Sequence, residues 1–493
     1  MTIIILGTLG RVRVPHVAHV PFAVVLAAAI WIRIIAVLAY PAPLWFGDSP
    51  GYLEAAIRLR PGETRPSGYP FLLWLIEPLH SFTAVVAVQH AIGLLSGVLV
   101  YAVVLRAGRA ARPPDEPGRW SWRVWAPTWW LGAIAGTFTA FAALTRSAGL
   151  PLIAVILVAM LLRQAGWRAC VAAVVMFVLP VVGYMAWFQA VYGQFKLAKA
   201  DSIWLYGRTA SFADCRVIDP RPELRIMCPQ RTDSRMSRPF AAMWTKDSAF
   251  REIPGWVTGE QANRLAGEFA LEAIEKQPGD YAKVVVHDTF MAFEWNRRPY
   301  PTPWTWLQYE FPEGEAWSDE QALLAAKYDP DGGETRVVRP WAGQVLAYQD
   351  HFAMPGTFLG ILLIGGLAGP FLHVRARGRW RPLRPVRHWG TGALLPWGTS
   401  LALLVIPAAT ADFDYRYVLP AVPFACMALG LATLPPPRRP RPTVVDGKDD
   451  ADPRRGHERP EPAGSKTRST ARDAALPSSS GQNRSTKASY RDL

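Results

Sequence analysis

Residues 21–40, PFAVVLAAAIWIRIIAVLAY, and the polar turn that follows at 41–52, PAPLWFGDSPGY, decide how this chain reads. The first run approaches the roughly 20 apolar residues that a helix needs to cross a bilayer. The second opens where that helix should meet water, and it carries Asp48. A carboxylate at that depth is placed to act as a base on a membrane-bound substrate. Arg65-Pro66-Ser67-Gly68-Tyr69-Pro70 follows shortly after.

Working outward, 51% of the 493 residues are hydrophobic and 12% aromatic, with a mean hydropathy of +0.10 despite a polar C-terminal segment. The apolar content is therefore concentrated upstream, which defines an α-helical polytopic membrane protein. A net charge of +14 and a pI near 9.8 would point to nucleic acid in a soluble protein. Here the arginines sit between apolar runs and in the tail, so they read as topology signals and no nucleic-acid partner is expected.

Eight spans are expected: Pro21 to Tyr40, Phe82 to Leu105, Val124 to Leu144, Leu150 to Leu162, Ala169 to Val191, Phe352 to His373, Gly390 to Ala411 and Tyr417 to Leu434. The fourth is short for a spanning helix. A basic start precedes the first span, and arginine clusters follow the second, fourth, sixth and eighth (Arg106 to Arg123, Arg163 and Arg168, Arg375 to Arg387, Arg438 to Arg441). All fall on one side if the spans alternate, which puts both termini in the cytoplasm by the positive-inside rule. A cleaved signal peptide competes for the first span, but its apolar run exceeds a usual signal core, and it is read as retained.

That topology divides the chain into a cytoplasmic N-terminus (1–20), an N-terminal membrane module (21–192) with an outer loop at 41–81, a small extracytoplasmic domain (193–351), C-terminal membrane helices (352–435) and a disordered cytoplasmic tail (436–493). The tail lacks the apolar content to order itself, and its Asn483-Arg484-Ser485 sequon reads as a chance match. Within the outer domain, Leu265, Phe269, Ala273 and Ile274 recur at helical spacing until Pro278-Gly279 interrupts them. Its Trp- and Tyr-rich stretch at 300–306 suits either a headgroup-level surface or internal packing.

Cys170 and Cys426 fall in apolar spans, where free thiols are ordinary. Cys215 and Cys228 lie close together in the outer loop, where an oxidising compartment lets them pair, and a disulfide between them is expected. No pattern of His and Cys resembles a metal site, so no metal is expected. Gly93 with Gly97, Gly132 with Gly136 and Gly356 with Gly360 permit close helix approach. The spans hold almost no Asp or Glu, which argues against an ion-coupled transporter. Arg33 is the clear intramembrane charge, either snorkelling or facing an anion at the outer rim.

The order of motifs resembles a family. Asp48 after the first span, Arg65-Pro66-Ser67-Gly68-Tyr69-Pro70 before the second, Leu144-Thr145-Arg146-Ser147-Ala148-Gly149-Leu150 between central spans, and Tyr415-Arg416-Tyr417 before the last look like GT-C glycosyltransferases. More narrowly, they look like the bacterial group of protein mannosyltransferases and aminoarabinose transferases, including members whose outer loop carries a motif like Leu205-Tyr206-Gly207-Arg208 followed by two cysteines. The likeness runs from about Phe22 to Leu434. It departs in one respect: family members generally have a further pair of spans where this chain has only the stretch from Arg106 to Arg123.

The resemblance implies a GT-C-like bundle in a bacterial plasma membrane, with a polyprenyl-phosphate sugar as donor and membrane lipid as partner, and Asp48 as general base on the outer face. Arg146, Arg208 and Arg416 are the candidate phosphate cations, because a guanidinium grips phosphate oxygens with two donors. Lys199, Tyr206 and Tyr415 are further donor-site candidates, and Tyr52, Arg65, Tyr69 and Arg33 weaker substrate contacts. Each has a plainer reading. Asp48 or Ser49 also suits a helix cap ahead of Pro50, Arg146 an interfacial anchor, Arg208 a loop surface, and Arg416 a pairing with Asp412 or Asp414. A lipid-sugar flippase and an inactive scaffold of the same fold are the alternatives to an enzyme.

Overall fold

The computed structural model describes residues 19–110, 129–162, 164–230, 235–314, 319–330, 336–375 and 391–434. The tail and the arginines at 112–123, 377–387 and 438–441 lie outside the described residues. Among those described, all regular structure is helical, with no strand.

The N-terminal part holds α1 (Val20–Ala39), α2 (Ser49–Ile57), α3 (Gly68–Ile76), α4 (Phe82–Ala110), α5 (Trp129–Thr145), α6 (Leu152–Leu162) and α7 (Trp167–Tyr192). The middle holds α8 (Asp201–Ala210), α9 (Cys215–Ile218), α10 (Arg238–Trp244), α11 (Glu260–Lys276), α12 (Pro278–Met291), α13 (Pro303–Leu307), α14 (Asp319–Tyr328) and α15 (Trp341–His351). The chain then closes with α16 (Gly356–Arg375), α17 (Thr391–Thr410) and α18 (Ala421–Ala432).

Among the described residues, five helical stretches are long and apolar enough to cross a membrane: Val20–Ala39, Phe82–Gly108, Trp167–Tyr192, Gly392–Thr410 and Tyr415–Ala432. The pair α15 and α16, bent by 60° at residues 352–355, makes a sixth if taken as one span. The expected sixth span begins at Gly356 rather than Phe352, because α15 stops at His351 and the chain does not resume a helix until after Pro355. The expected third and fourth spans correspond to shorter apolar helices, Trp129–Thr145 and Ser147–Leu162. Several long apolar helices with lipid-sized exposed faces are compatible with a membrane protein.

Small residues set the closest packing. A Cβ on Gly132 would lie 2.1 Å from the Ala169 carbonyl oxygen, and one on Gly136 would lie 2.1 Å from that of Ala173, so α5 and α7 touch backbone to backbone. Of the other glycine pairs, Gly356 abuts the Ala292 carbonyl, whereas Gly97 faces open space.

The middle segment divides by its packing. Residues from Ala200 to Ala273 have their own core around Tyr206, Phe250 and Phe269, stapled by the Cys215–Cys228 disulfide. The expected helical pattern is realised as α11 and α12, broken at Pro278 because proline begins the second helix where its missing N–H costs nothing. Beyond α12 the chain returns to the bundle: α14 packs on α2, and α15 on α1.

Candidate functional site

Asp48 stands at the N-cap of α2, with Pro50 in the first turn, yet its side chain makes no capping hydrogen bond. The carboxylate turns away from its own helix to two arginines. One oxygen pairs with Arg65, and the other accepts from Arg416 Nη1 at 2.8 Å. All three side chains are about a quarter exposed, at 21%, 24% and 26%.

The residues that place Arg65 come from its own motif. Ser67 Oγ accepts from the Gly62 N–H at 2.7 Å and meets Tyr184 Oη, closing the loop. Gly68 has no room for a Cβ, which would fall 2.5 Å from the Thr145 nitrogen, so α3 starts directly on the end of α5. Tyr192 donates to the Pro61 carbonyl at 2.8 Å, and Lys199 grips Glu63 through both its backbone N–H and Nζ. The Arg65 guanidinium lies over Trp204 of α8, 4.9 Å from the ring centre.

Arg416 is fixed from the other side. Asp414 accepts from its Nε at 2.9 Å and pairs with Nη2 at 2.7 Å, while Tyr309 donates to the second Asp414 oxygen at 2.6 Å. The guanidinium stacks on Phe46, 3.7 Å from the ring centre. Arg146, in extended backbone just after α5, covers Tyr417 at 4.0 Å. Three guanidiniums and two carboxylates therefore gather at one end of the bundle, leaving positive charge in excess. Burial pushes the Asp48 carboxyl up, but Arg65 and Arg416 outweigh it and hold the group below its ordinary range.

Several expected site residues are elsewhere. Arg208 is not on a loop surface facing phosphate: it is 1% exposed and pairs with Asp288, with further bonds to Ser211 Oγ and the Ala408 carbonyl. It sits in the last turn of α8, where every residue from Tyr206 to Ala210 is buried. Tyr206 is likewise core, donating to the Met227 carbonyl at 3.0 Å. Tyr415 is enclosed by Trp306, Tyr309 and Phe413 and accepts from the Arg298 N–H. Lys199 is committed to Glu63 and to the Tyr192 ring. Tyr52 stacks edge-on with Tyr69, whose hydroxyl accepts from Gln89. Arg33 points back along α1 to the Ala29 carbonyl.

Three contributors escape the sequence reading. Of the two partners expected for Arg416, Asp414 is the one that pairs with it, whereas Phe46, Trp204 and Tyr309 carry no signal in sequence beyond being aromatic. Asp412 does not pair with Arg416. It accepts instead from Ser237 Oγ and Tyr300 Oη, each at 2.5 Å.

Beside the site, a cavity of about 330 Å³ lies among α1, α2, α3 and α4, lined largely by apolar groups such as Ala36, Leu44, Leu53 and Val86, and reaching Ser49. Among the described residues no cluster of three or more His, Cys, Asp or Glu side chains is placed to hold a metal. Compared with protein-family models, curated proteins and solved structures, the chain matches none.

Proposed function

We propose that this chain is a GT-C-like membrane glycosyltransferase that moves a sugar from a polyprenyl-phosphate donor to an acceptor hydroxyl at the extracytoplasmic face. The observation that carries the reading is the meeting of Asp48 with Arg65 and Arg416 at one end of an apolar helical bundle. A carboxylate and an excess of guanidiniums at one rim are the two functions that such a transfer needs.

In the reaction, the acceptor hydroxyl gives its proton to Asp48 as its oxygen bonds to the anomeric carbon. The bond from that carbon to the phosphate oxygen breaks, and the electron pair leaves with the polyprenyl phosphate. Arg416, Arg65 and Arg146 face the growing phosphate charge. A single displacement of this kind inverts the anomeric carbon. The apolar cavity beside Ser49 offers room for hydrocarbon next to that rim.

Purified protein in proteoliposomes, offered a panel of polyprenyl-phosphate sugars with candidate acceptors, tests the reading by mass spectrometry of the products. A new glycoside with release of polyprenyl phosphate is expected. Movement of the labelled lipid across the vesicle with no glycoside formed would identify a flippase instead.

A further inference from the structure

The base of this site is itself seated where an anion belongs. Each Asp48 oxygen engages a different arginine, one from the loop before α3 and one from the turn before α18. The two arginines are held by groups other than Asp48. Arg416 is anchored by Asp414 through Nε and Nη2, which leaves Nη1 as the donor given to Asp48. Arg65 is held by its face on Trp204. Nothing in the backbone holds the carboxylate in return, because the N-cap bond that an aspartate at this position ordinarily makes is unmade. The cradle is built, and its occupant is loosely tethered.

We propose that the chain rests in a locked state in which Asp48 fills the Arg65–Arg416 cradle, and that the phosphodiester of a lipid-linked sugar entering the cradle displaces the carboxylate and frees it to accept a proton. This rests on the glycosyltransferase reading and adds an order to it: donor binds before the base is competent. A phosphodiester carries one negative charge on two free oxygens, as a carboxylate does, so it fits the same guanidiniums, and its hydrocarbon chain gains apolar burial in the cavity beside Ser49. Once the arginines turn to phosphate, Asp48 loses the two cations that depress its proton affinity and gains an anionic neighbour, and both changes raise that affinity. The other charged or titratable groups around the carboxylate are Asp414 behind Arg416, Tyr52 on its own helix, and Tyr417 with Arg146 above it. None of them replaces the lost cations, because Arg146 already covers Tyr417.

Carbodiimide labelling reads this directly, since the reagent attacks protonated carboxyls and spares ion-paired carboxylates. Detergent-purified full-length protein is labelled near neutral pH with dodecyl methyl phosphate, with dimethyl phosphate at equal concentration, or with dodecanol, and Asp48 modification is quantified by peptide mass spectrometry. Binding is followed in parallel by native mass spectrometry. Labelling is expected to rise about tenfold with phosphate, the change that a one-unit increase in proton affinity gives, and not with dodecanol. A rise with dodecyl methyl phosphate alone assigns the cradle to a lipid headgroup, and an equal rise with dimethyl phosphate assigns it to a phosphodiester however carried. Arg416→Ala should label strongly without any phosphate. Bound phosphate with unchanged labelling overturns the lock and leaves the glycosyltransferase reading standing, whereas absence of phosphate binding overturns both.

Discussion

Asp48 and Arg416 are 368 positions apart in the chain, and a 2.8 Å hydrogen bond joins them. The loop between α1 and α2 and the turn before α18 are thereby fastened together. Arg416→Ala removes the cation that serves both Asp48 and the proposed leaving phosphate, so transfer should fall by about a hundredfold or more. Arg416→Lys should restore little, because an ammonium cannot grip Asp414 through two nitrogens while reaching Asp48. Initial rates with a labelled lipid-linked sugar, corrected for folded protein, check both.

Arg208 and Asp288 form a buried pair whose removal predicts a loss of a different kind. Either single alanine substitution strands a charge and should cost about 3–5 kcal/mol of stability, while Arg208→Met with Asp288→Leu should cost much less. Chemical unfolding in detergent measures the cost. If Arg208→Ala instead folds normally and raises the KM for donor, Arg208 belongs to the site after all.

Asp412 gives a pH dependence. Burial pushes its carboxyl up to about 6, against donation from Ser237 and Tyr300. The folded chain therefore binds more protons here than the unfolded chain between the ordinary carboxylate range and about 6. Stability contributed at this position is present at low pH and lost as pH rises through about 6, by about 2–3 kcal/mol. Asp48 works in the opposite sense: its stabilisation is present above the ordinary range and lost as pH falls. Unfolding curves of Asp412→Asn and the parent from about pH 4 to about pH 8 isolate the Asp412 part. The parent should lose ground to the variant as pH rises, and a constant gap would contradict the assignment.

Gly68 tests how the scaffold positions the site. An alanine there meets the Thr145 backbone, which cannot yield as a flexible side chain would, so Gly68→Ala should cost about 1–3 kcal/mol and shift Arg65 away from Asp48. Lower transfer per folded molecule is the expected result, and full activity would show that the loop position does not matter.

The disulfide closes a loop with a sequence separation of 13 in the middle segment. Replacing Cys215 and Cys228 with serine should lower that segment's stability by about 3 kcal/mol. Proteolysis under native conditions should then cut first between Ala200 and Ala273.

What could be read from sequence was whatever lies at the end of an apolar run. Asp48, Arg146 and Arg416 each sit close to the end of an expected span, Arg65 lies in the loop between the first two, and these four gather with Asp414. Arg208 could not be read this way. Its partner Asp288 lies 80 residues on, in another helix, and a helical face becomes buried only through what packs against it. The same holds for Asp414 and Tyr309, joined across 105 positions. The 60° bend between α15 and α16 was not legible because a proline marks a break in a helix without giving the angle at which the chain resumes.

The central claim is that Asp48 takes the acceptor's proton at a rim shared with the phosphate-facing arginines. The most direct measurement is the transfer rate of Asp48→Asn in proteoliposomes, beside a check that its thermal unfolding stays cooperative and that lipid phosphate still binds. The account predicts retained donor binding with transfer reduced to background. Transfer at the parent rate by a folded Asp48→Asn protein would contradict it.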